Sequence, residues 1–338
     1  MTPKVLFIRA DANQTLGTGH LMRMLALGEA WVSRGGSFVV GGSVPTALVE
    51  RVQAAGGVVS ALADGPFDGE QTRDAARAAH ATVVVADGYR FGPDFQRAIL
   101  DAGLPLMVVD DNAENHEYPA TFVLNQNVHA SEGQYSKRGS ATQLLLGPRY
   151  ALVRREILDG AKGATFSAGA VARCLVTLGG ADPLDLTGRL LPLAGSAPFS
   201  WCVLVGGANP RLSAYQRAAP ANVELVFNST RFAHHARQCQ LAFAAAGSTV
   251  WELALLGVPA AVVSVADNQV ELGRALGALG AVEYLGDARE SGTASSWLQR
   301  LTALAQDEGR RRSLVDSARA IVDGAGAQRV VEKLLEVV

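Results

Sequence analysis

The sequence predicts an α/β protein built from two Rossmann-like, doubly wound domains. Three observations carry that prediction. Short unbroken apolar runs such as Val83-Val84-Val85-Ala86 have the character of parallel strands buried on both faces. They alternate with longer segments whose apolar residues recur at helical spacing. The alternation occurs twice, on either side of residues 160–169, which are mostly small and include Gly160, Gly163 and Gly169, as suits a linker.

Taken in order, Val5 to Ala10 reads as the first strand, followed by a glycine-containing loop. A helix follows, with Leu21, Met24, Leu25, Leu27 and Trp31 on its apolar side. Ser37–Val40 and Val58–Leu62 are strands, with helices over Pro45–Ala55 and about Gly69–Ala79. Ala81–Ala86 is a buried strand ending at Asp87-Gly88-Tyr89-Arg90. Pro93–Ala102 is a helix with Pro in its first turn. Pro105–Val109 is another strand, stopping at Asp110-Asp111-Asn112. From 112 to 150 the rhythm weakens, with short strands at Phe122–Leu124 and Gln143–Leu146 and a short helix after Arg155.

The second series begins with a strand at Ala172–Thr177, running into Leu178-Gly179-Gly180-Ala181-Asp182, and a helix at Leu184–Leu193. Further strands are expected at Ser200–Val205, Val223–Val226, Leu241–Ala244 and Ala260–Val265. Helices are expected at Thr249–Leu256 and Gln269–Leu279, and three more close the chain at about Ala294–Gln306, Glu308–Asp323 and Ala327–Val338. The expected domains are residues 1–160 and 161–338, the last helices packing back on the first domain. Facing sheets of this kind are expected to leave a ligand cleft at the carboxyl ends of their strands.

Composition narrows the function. A formal charge of −2 over 338 residues gives no electrostatic reason to expect nucleic acid or an anionic membrane as partner. Cys174, Cys202 and Cys239 are too few and too scattered for a disulfide framework or a zinc site, so they read as buried thiols in a reducing compartment. The first residues lack the pattern of a signal peptide. The apolar stretch 241–266 is broken by Gly247, Glu252, Gly257 and Pro259, which argues against a membrane span. A soluble, cytoplasmic protein is expected, and the sequence does not define its oligomeric state.

The candidate chemistry lies at strand ends. Gly17-Thr18-Gly19 lacks the third glycine and the short loop of a dinucleotide fingerprint, and no Walker A pattern occurs. His20 stands where the first helix begins. It either solvates its own turn or, as a neutral imidazole favoured by the positive end of the helix dipole, serves as a general base. Asp11 is one carboxylate that could orient it. Thr249-Val250-Trp251-Glu252 has the form of a capping box, but the same residues with Gly247 and Ser248 would also cradle a phosphate, leaving Glu252 for a ribose. Gly179-Gly180-Ala181-Asp182 is either a turn with an Asp cap or backbone that lets a nucleotide approach. Asp110-Asp111 reads as a turn, and His234-His235 as a solvated pair. Neither a metal nor a cofactor is expected.

Several of these stretches together resemble the PseG or SpsG-like family of UDP-sugar hydrolases. The matching residues are Arg9-Ala10-Asp11 with Gly17-Thr18-Gly19-His20-Leu21-Met22-Arg23, Asp87-Gly88-Tyr89, Leu124-Asn125-Gln126-Asn127, and Gly147 to Leu152. Thr177 to Asp182, Ala246 to Glu252, and Asn268-Gln269 follow in the same order. The resemblance implies a GT-B-like fold similar to MurG, with UDP held mostly by the second domain. It implies hydrolysis of UDP-2,4-diacetamido-2,4,6-trideoxy-β-L-altropyranose at the anomeric carbon with inversion and without metal, in pseudaminic acid or related glycan biosynthesis.

Carried across by the resemblance, His20 is the base that activates water, and Asp11 remains the candidate catalytic carboxylate to orient it. Tyr89 and Asn268 line the sugar site, and Arg9, Gly19, Arg23, Asn127 and Gln269 are further expected substrate-binding residues. Gly179, Gly180, Gly247, Ser248, Thr249 and Glu252 hold the nucleotide. The run Ala246-Gly247-Ser248-Thr249 departs from the more Ser-rich family pattern. A glycosyltransferase of the same fold is the alternative expectation.

Overall fold

The computed structural model describes residues 4–12, 18–62, 68–290 and 292–338. Gly17, part of the expected opening motif, lies outside them. The chain forms two compact units: residues 1–155 with 324–338, and residues 156–323. Residues 156–160, expected in the first domain, thus belong to the second unit. Residues 324–338, expected within the second domain's span, belong to the first.

The first unit contains β1 (Val5–Ala10), α1 (Gly19–Ser33), β2 (Ser37–Gly42), α2 (Thr46–Ala54), β3 (Gly57–Ala61), α3 (Asp68–Ala78), β4 (Val83–Asp87), α4 (Pro93–Leu100), β5 (Leu106–Val109), β6 (Phe122–Asn125) and β7 (Gln143–Leu146). The strands form a parallel sheet in the order β3-β2-β1-β4-β5-β6-β7. In register, Ile8 faces Val40 on one side and Val85 on the other. All residues of β4 and β5 are buried, as expected of central parallel strands.

One face of this sheet packs Leu6, Ile8, Val83 and Val85 against α1. The other packs Phe7, Val84 and Ala86 with Phe91, Phe95 and Ile99 around α4. Even the weakly signalled β6 and β7 extend the same sheet, because their apolar residues alternate into these two cores.

The second unit begins within α5 (Arg155–Ala161). It continues through β8 (Arg173–Thr177), α6 (Leu186–Ala194), β9 (Ser200–Val205), α7 (Leu212–Ala218), β10 (Val223–Phe227), α8 (Phe232–Ala236), β11 (Leu241–Ala245), α9 (Thr249–Leu256), β12 (Ala260–Ser264), α10 (Asp267–Ala278), β13 (Glu283–Asp287), α11 (Ala294–Gln306) and α12 (Glu308–Ile321). Its sheet is also parallel, in the order β10-β9-β8-β11-β12-β13. Its core gathers Val176, Val203, Phe243, Val263 and Trp297. Two elements carried no usable sequence signal: β13, an edge strand rich in Glu, Gly and Asp, and the two-turn α7.

The last helix, α13 (Gly326–Leu335), sets Ala327, Val330, Val331 and Leu334 into the first unit's core beside α1. Of the three closing helices, only this one joins the first unit.

Candidate active site

In each unit the strand order reverses beside the first strand, between β1 and β4 and between β8 and β11. At such a switch point the connections leave to opposite sides of the sheet and open a crevice at the carboxyl ends of the strands. The candidate residues cluster at these two places.

In the first unit, His20 is the second residue of α1, and Asp87 ends the adjacent strand β4. His20 Nδ1 lies 2.7 Å from Asp87 Oδ1. A carboxylate accepts only, so Nδ1 carries the proton and donates it, leaving the ring lone pair on Nε2. Arg23, one turn further along α1, donates from Nε to Asp87 Oδ2 at 2.6 Å and from Nη2 to Asp87 Oδ1 at 2.6 Å. Its Nη1 reaches both carboxylate oxygens of Asp111, at 3.0 and 2.8 Å. The 3.4 Å approach of Arg23 Nη2 to His20 Nδ1 sets two donors side by side and is not a hydrogen bond under this tautomer. Asn127 Nδ2 donates to Asp111 Oδ1 at 3.1 Å.

Burial alone would push the Asp87 carboxyl up, but the charges of Arg23 and His20 and their hydrogen bonds outweigh it and hold it at about 2. Burial disfavours the Arg23 cation, yet Asp111 and Asp87 raise its pKa above the usual guanidinium value. The Tyr89 ring meets the His20 imidazole edge to face, with centroids 5.0 Å apart. Partial burial and the Asp111 charge push the Tyr89 phenol up to about 12, so it is a neutral hydroxyl at physiological pH. His20, Arg23, Tyr89, Phe91, Asp111 and Asn115 are among the residues that line one concavity.

Several expectations are corrected here. Asp11 does not orient His20; Asp87 does. Asp11 instead accepts from Arg9 Nη1 at 2.8 Å, from the Ser43 amide at 2.8 Å and from Arg90 Nη2 at 2.7 Å. Burial raises the Asp11 carboxyl, and these donors more than reverse that. Arg9, expected to touch substrate, is wholly buried and bonded to Asp11 and Asp68. Arg23 and Asn127, expected in the same role, are buried and tied to Asp87 and Asp111. Gly19 is exposed at the first position of α1. Asp110 is the turn residue expected of it: its Oδ1 accepts from the amides of Asn112 and Ala113. Its neighbour Asp111 was passed over with it and proves to be part of the network.

In the second unit, Gly179 and Gly180 follow β8, Gly247, Ser248 and Thr249 follow β11, and Asn268 and Gln269 open α10 after β12. These strands are neighbours, so the three loops lie side by side. Gly206 brings the loop after β9 against the first of them; a Cβ there would come within 2.3 Å of the Gly180 carbonyl oxygen.

The two helix N-termini differ. At α6 the capping residue is Asp185, which accepts from the Gly188 amide at 3.2 Å, and Asp182, the expected cap three residues earlier, accepts from the amides of Leu186 and Thr187, both at 2.9 Å. At α9 the capping position is Ser248, one residue before the expected Thr249, and it makes no side-chain cap. The capping box is therefore out of register, with Glu252 one position beyond its closing site. Gln269 Oε1 accepts from the Val265 amide at 3.0 Å, which fixes the turn into α10.

His235, expected to be solvated, is buried and within 2.9 Å of Ser229 Oγ through Nε2; burial and the neighbouring His234 lower its pKa. Among the described residues no group of three His, Cys, Asp or Glu side chains could hold a metal ion. Nor is any helix among them long and apolar enough to cross a membrane.

Two parallel, doubly wound units with these switch points define the GT-B class of fold, and solved structures share it along essentially the whole chain. MurG of Acinetobacter baumannii superimposes with a TM-score of 0.65 at 17% identity, covering 99% of each chain. The spinosyn rhamnosyltransferase SpnG, solved in complex with thymidine diphosphate, gives a TM-score of 0.64 at 17% identity, covering 97% of this chain and 100% of its own. In sequence the chain is similar to the spore coat polysaccharide biosynthesis protein SpsG of Bacillus subtilis (strain 168), 26% identical over 162 residues. That match takes in 46% of this chain and 48% of SpsG, so the chain spans about half the length of the curated relative it matches. No protein-family model matches the sequence.

Proposed function

We propose that the protein transfers a sugar from a nucleotide donor to an acceptor hydroxyl in polysaccharide biosynthesis, with His20 as the general base. The observation that carries this is the His20–Asp87 pair, which fixes the proton on Nδ1 and leaves Nε2 to accept one at the edge of a pocket. In the reaction the acceptor oxygen bonds to the anomeric carbon while its proton passes to Nε2. The bond from that carbon to the phosphate oxygen breaks, and the nucleoside diphosphate leaves with the electron pair. Asp87 stabilises the imidazolium that forms.

The second unit would hold the nucleotide, which we take to be UDP. The amides of Gly247, Ser248 and Thr249 lie at a helix start that lacks a side-chain cap, where the helix dipole favours phosphate. Glu252 would accept from the ribose hydroxyls, and Gly179 and Gly180 would let the backbone come close to the nucleotide. Tyr89, Asn268 and Gln269 would contact the sugar. The likeness to MurG and to a rhamnosyltransferase that binds thymidine diphosphate supports transfer, and the SpsG match supports a polysaccharide setting.

A second reading makes water the acceptor and the protein a hydrolase, with a UDP-2,4-diacetamido-2,4,6-trideoxy hexose as substrate. What favours it is the resemblance of the His20, Tyr89 and Asn268 stretches to UDP-sugar hydrolases. Incubating the protein with a panel of UDP-sugars, with and without sugar acceptors, separates the two. UDP release that needs an acceptor supports transfer, whereas release in buffer alone, with the free sugar identified by NMR, supports hydrolysis. His20→Asn is expected to lower turnover by about 100-fold or more in either case while UDP binding persists. Full turnover by this variant overturns the assignment of the base.

A further inference from the structure

Arg23 was carried into the site as a substrate contact, yet every hydrogen bond it makes is to a carboxylate. Its planar fork holds Asp87 through Nε and Nη2 and Asp111 through Nη1. Each of the three side chains is more than nine-tenths buried. Asp111 is the second residue of the loop that follows β5, and Asn127 holds it from beyond β6. Two carboxylates and one guanidinium therefore share a small volume with one imidazole.

We propose that Arg23 is a positioning residue that keeps His20 usable as a base. Its fork fixes the Asp87 oxygen to which His20 Nδ1 donates, and its single positive charge offsets the second carboxylate, Asp111. This rests on the reading of His20 as the base. The physical argument is a count of charges. With a neutral imidazole the cluster carries Asp87 and Asp111 against Arg23. Removing the guanidinium leaves two buried carboxylates whose nearest available counter-charge is a protonated His20, and an imidazolium cannot accept a proton. Removing the Asp111 charge instead leaves Asp87 and Arg23 balanced, which disfavours imidazolium. The two perturbations thus act on His20 in opposite directions. A network that merely filled space would not produce that sign.

The groups that face His20 are Arg23 from α1, Asp87 at the end of β4, Tyr89 in the loop after it, and Asp110, Asp111 and Glu114 after β5. Tyr89 stays neutral below about pH 12, Asp110 is committed to its own turn and to Tyr118, and Glu114 accepts from Asn112 Nδ2 and is unchanged in both variants below. The large changes in charge near the ring are therefore those at Arg23 and Asp111.

The test needs no substrate. The full chain labelled with ¹⁵N-histidine is titrated by NMR, and His20 is identified among the six histidines by the signal missing from His20→Asn. In Arg23→Met the His20 titration midpoint is expected to move up by about 1 to 3 pH units, and in Asp111→Asn to move down by about 1. Shifts of opposite sign support the proposal; unchanged midpoints, or shifts in one direction, overturn it. Should Arg23→Met fail to fold, Asp111→Asn decides alone, a lowered midpoint supporting and an unchanged or raised one overturning. Because the readout is a titration and not turnover, loss of the proposed sugar chemistry leaves this result standing, and the reverse also holds.

Discussion

Replacing Asp87 by Asn tests the centre of the site with the least change of shape. In the native chain both carboxylate oxygens accept, from His20 Nδ1 and from Arg23 Nε and Nη2. An amide has one accepting oxygen, so its NH₂ end must face a donor from His20 or from Arg23. The carboxyl is held at about 2 against an ordinary value of 3.8. That difference of nearly two units corresponds to about 2 kcal/mol of stability at neutral pH, to which the mismatched donor adds about 1 to 2 kcal/mol.

The sign follows from the lowered value. The ionised carboxylate stabilises the folded state fully above the unfolded value near 4, and the contribution disappears as the pH falls through 2. The gap between wild type and Asp87→Asn is therefore expected to be constant from pH 7 to about pH 5 and about 1 kcal/mol smaller at pH 3. Pulse-labelling hydrogen exchange across a urea series, read on β1 and β4 peptides, follows the first unit separately from the second. Turnover is expected to fall by about 100- to 10,000-fold as the imidazole loses its fixed tautomer. A gap that stays the same or widens toward acid, or near-native turnover, refutes the reasoning.

Two further outcomes concern the second unit. Asp182→Ala removes the acceptor for the Leu186 and Thr187 amides and is expected to cost about 1 to 2 kcal/mol, measured as a lower denaturation midpoint of that unit. Glu252→Gln is expected to weaken UDP binding about tenfold by calorimetry, the loss expected of a charge-assisted hydrogen bond to a ribose hydroxyl.

The strands were legible because buried parallel strands are written as unbroken apolar runs, and β1, β4, β5, β8 and β11 announce themselves in this way. The edge strand β13 was not, since Glu283 pairs with Arg300 and Arg310 and Asp287 with Arg289, charges that break the apolar run. His20 could be placed from its position at a helix start, but its partner could not be read by nearness in sequence. Asp11 is nine residues away and faces Arg9 and Arg90; Asp87 is far along the chain but on the strand next to β1. The switch-point rule for doubly wound sheets contains that adjacency, so the correct carboxylate was recoverable in principle. Arg23 and Asp111 were hidden for a different reason. A buried ion pair looks in sequence like any surface charge, and only the packing around it reveals the difference. At Glu252 the capping pattern was sound in composition and wrong by a single residue of register.

The return of α13 to the first unit has a consequence for how the chain is made. The sheet of that unit is encoded by Leu146, yet the apolar side of α1 waits for Val330, Val331 and Leu334, which leave the ribosome only after the whole of the second unit. The second unit is continuous in sequence and can close its own core as it emerges. Of the two units, the one that carries His20 thus begins before the other and is completed after it.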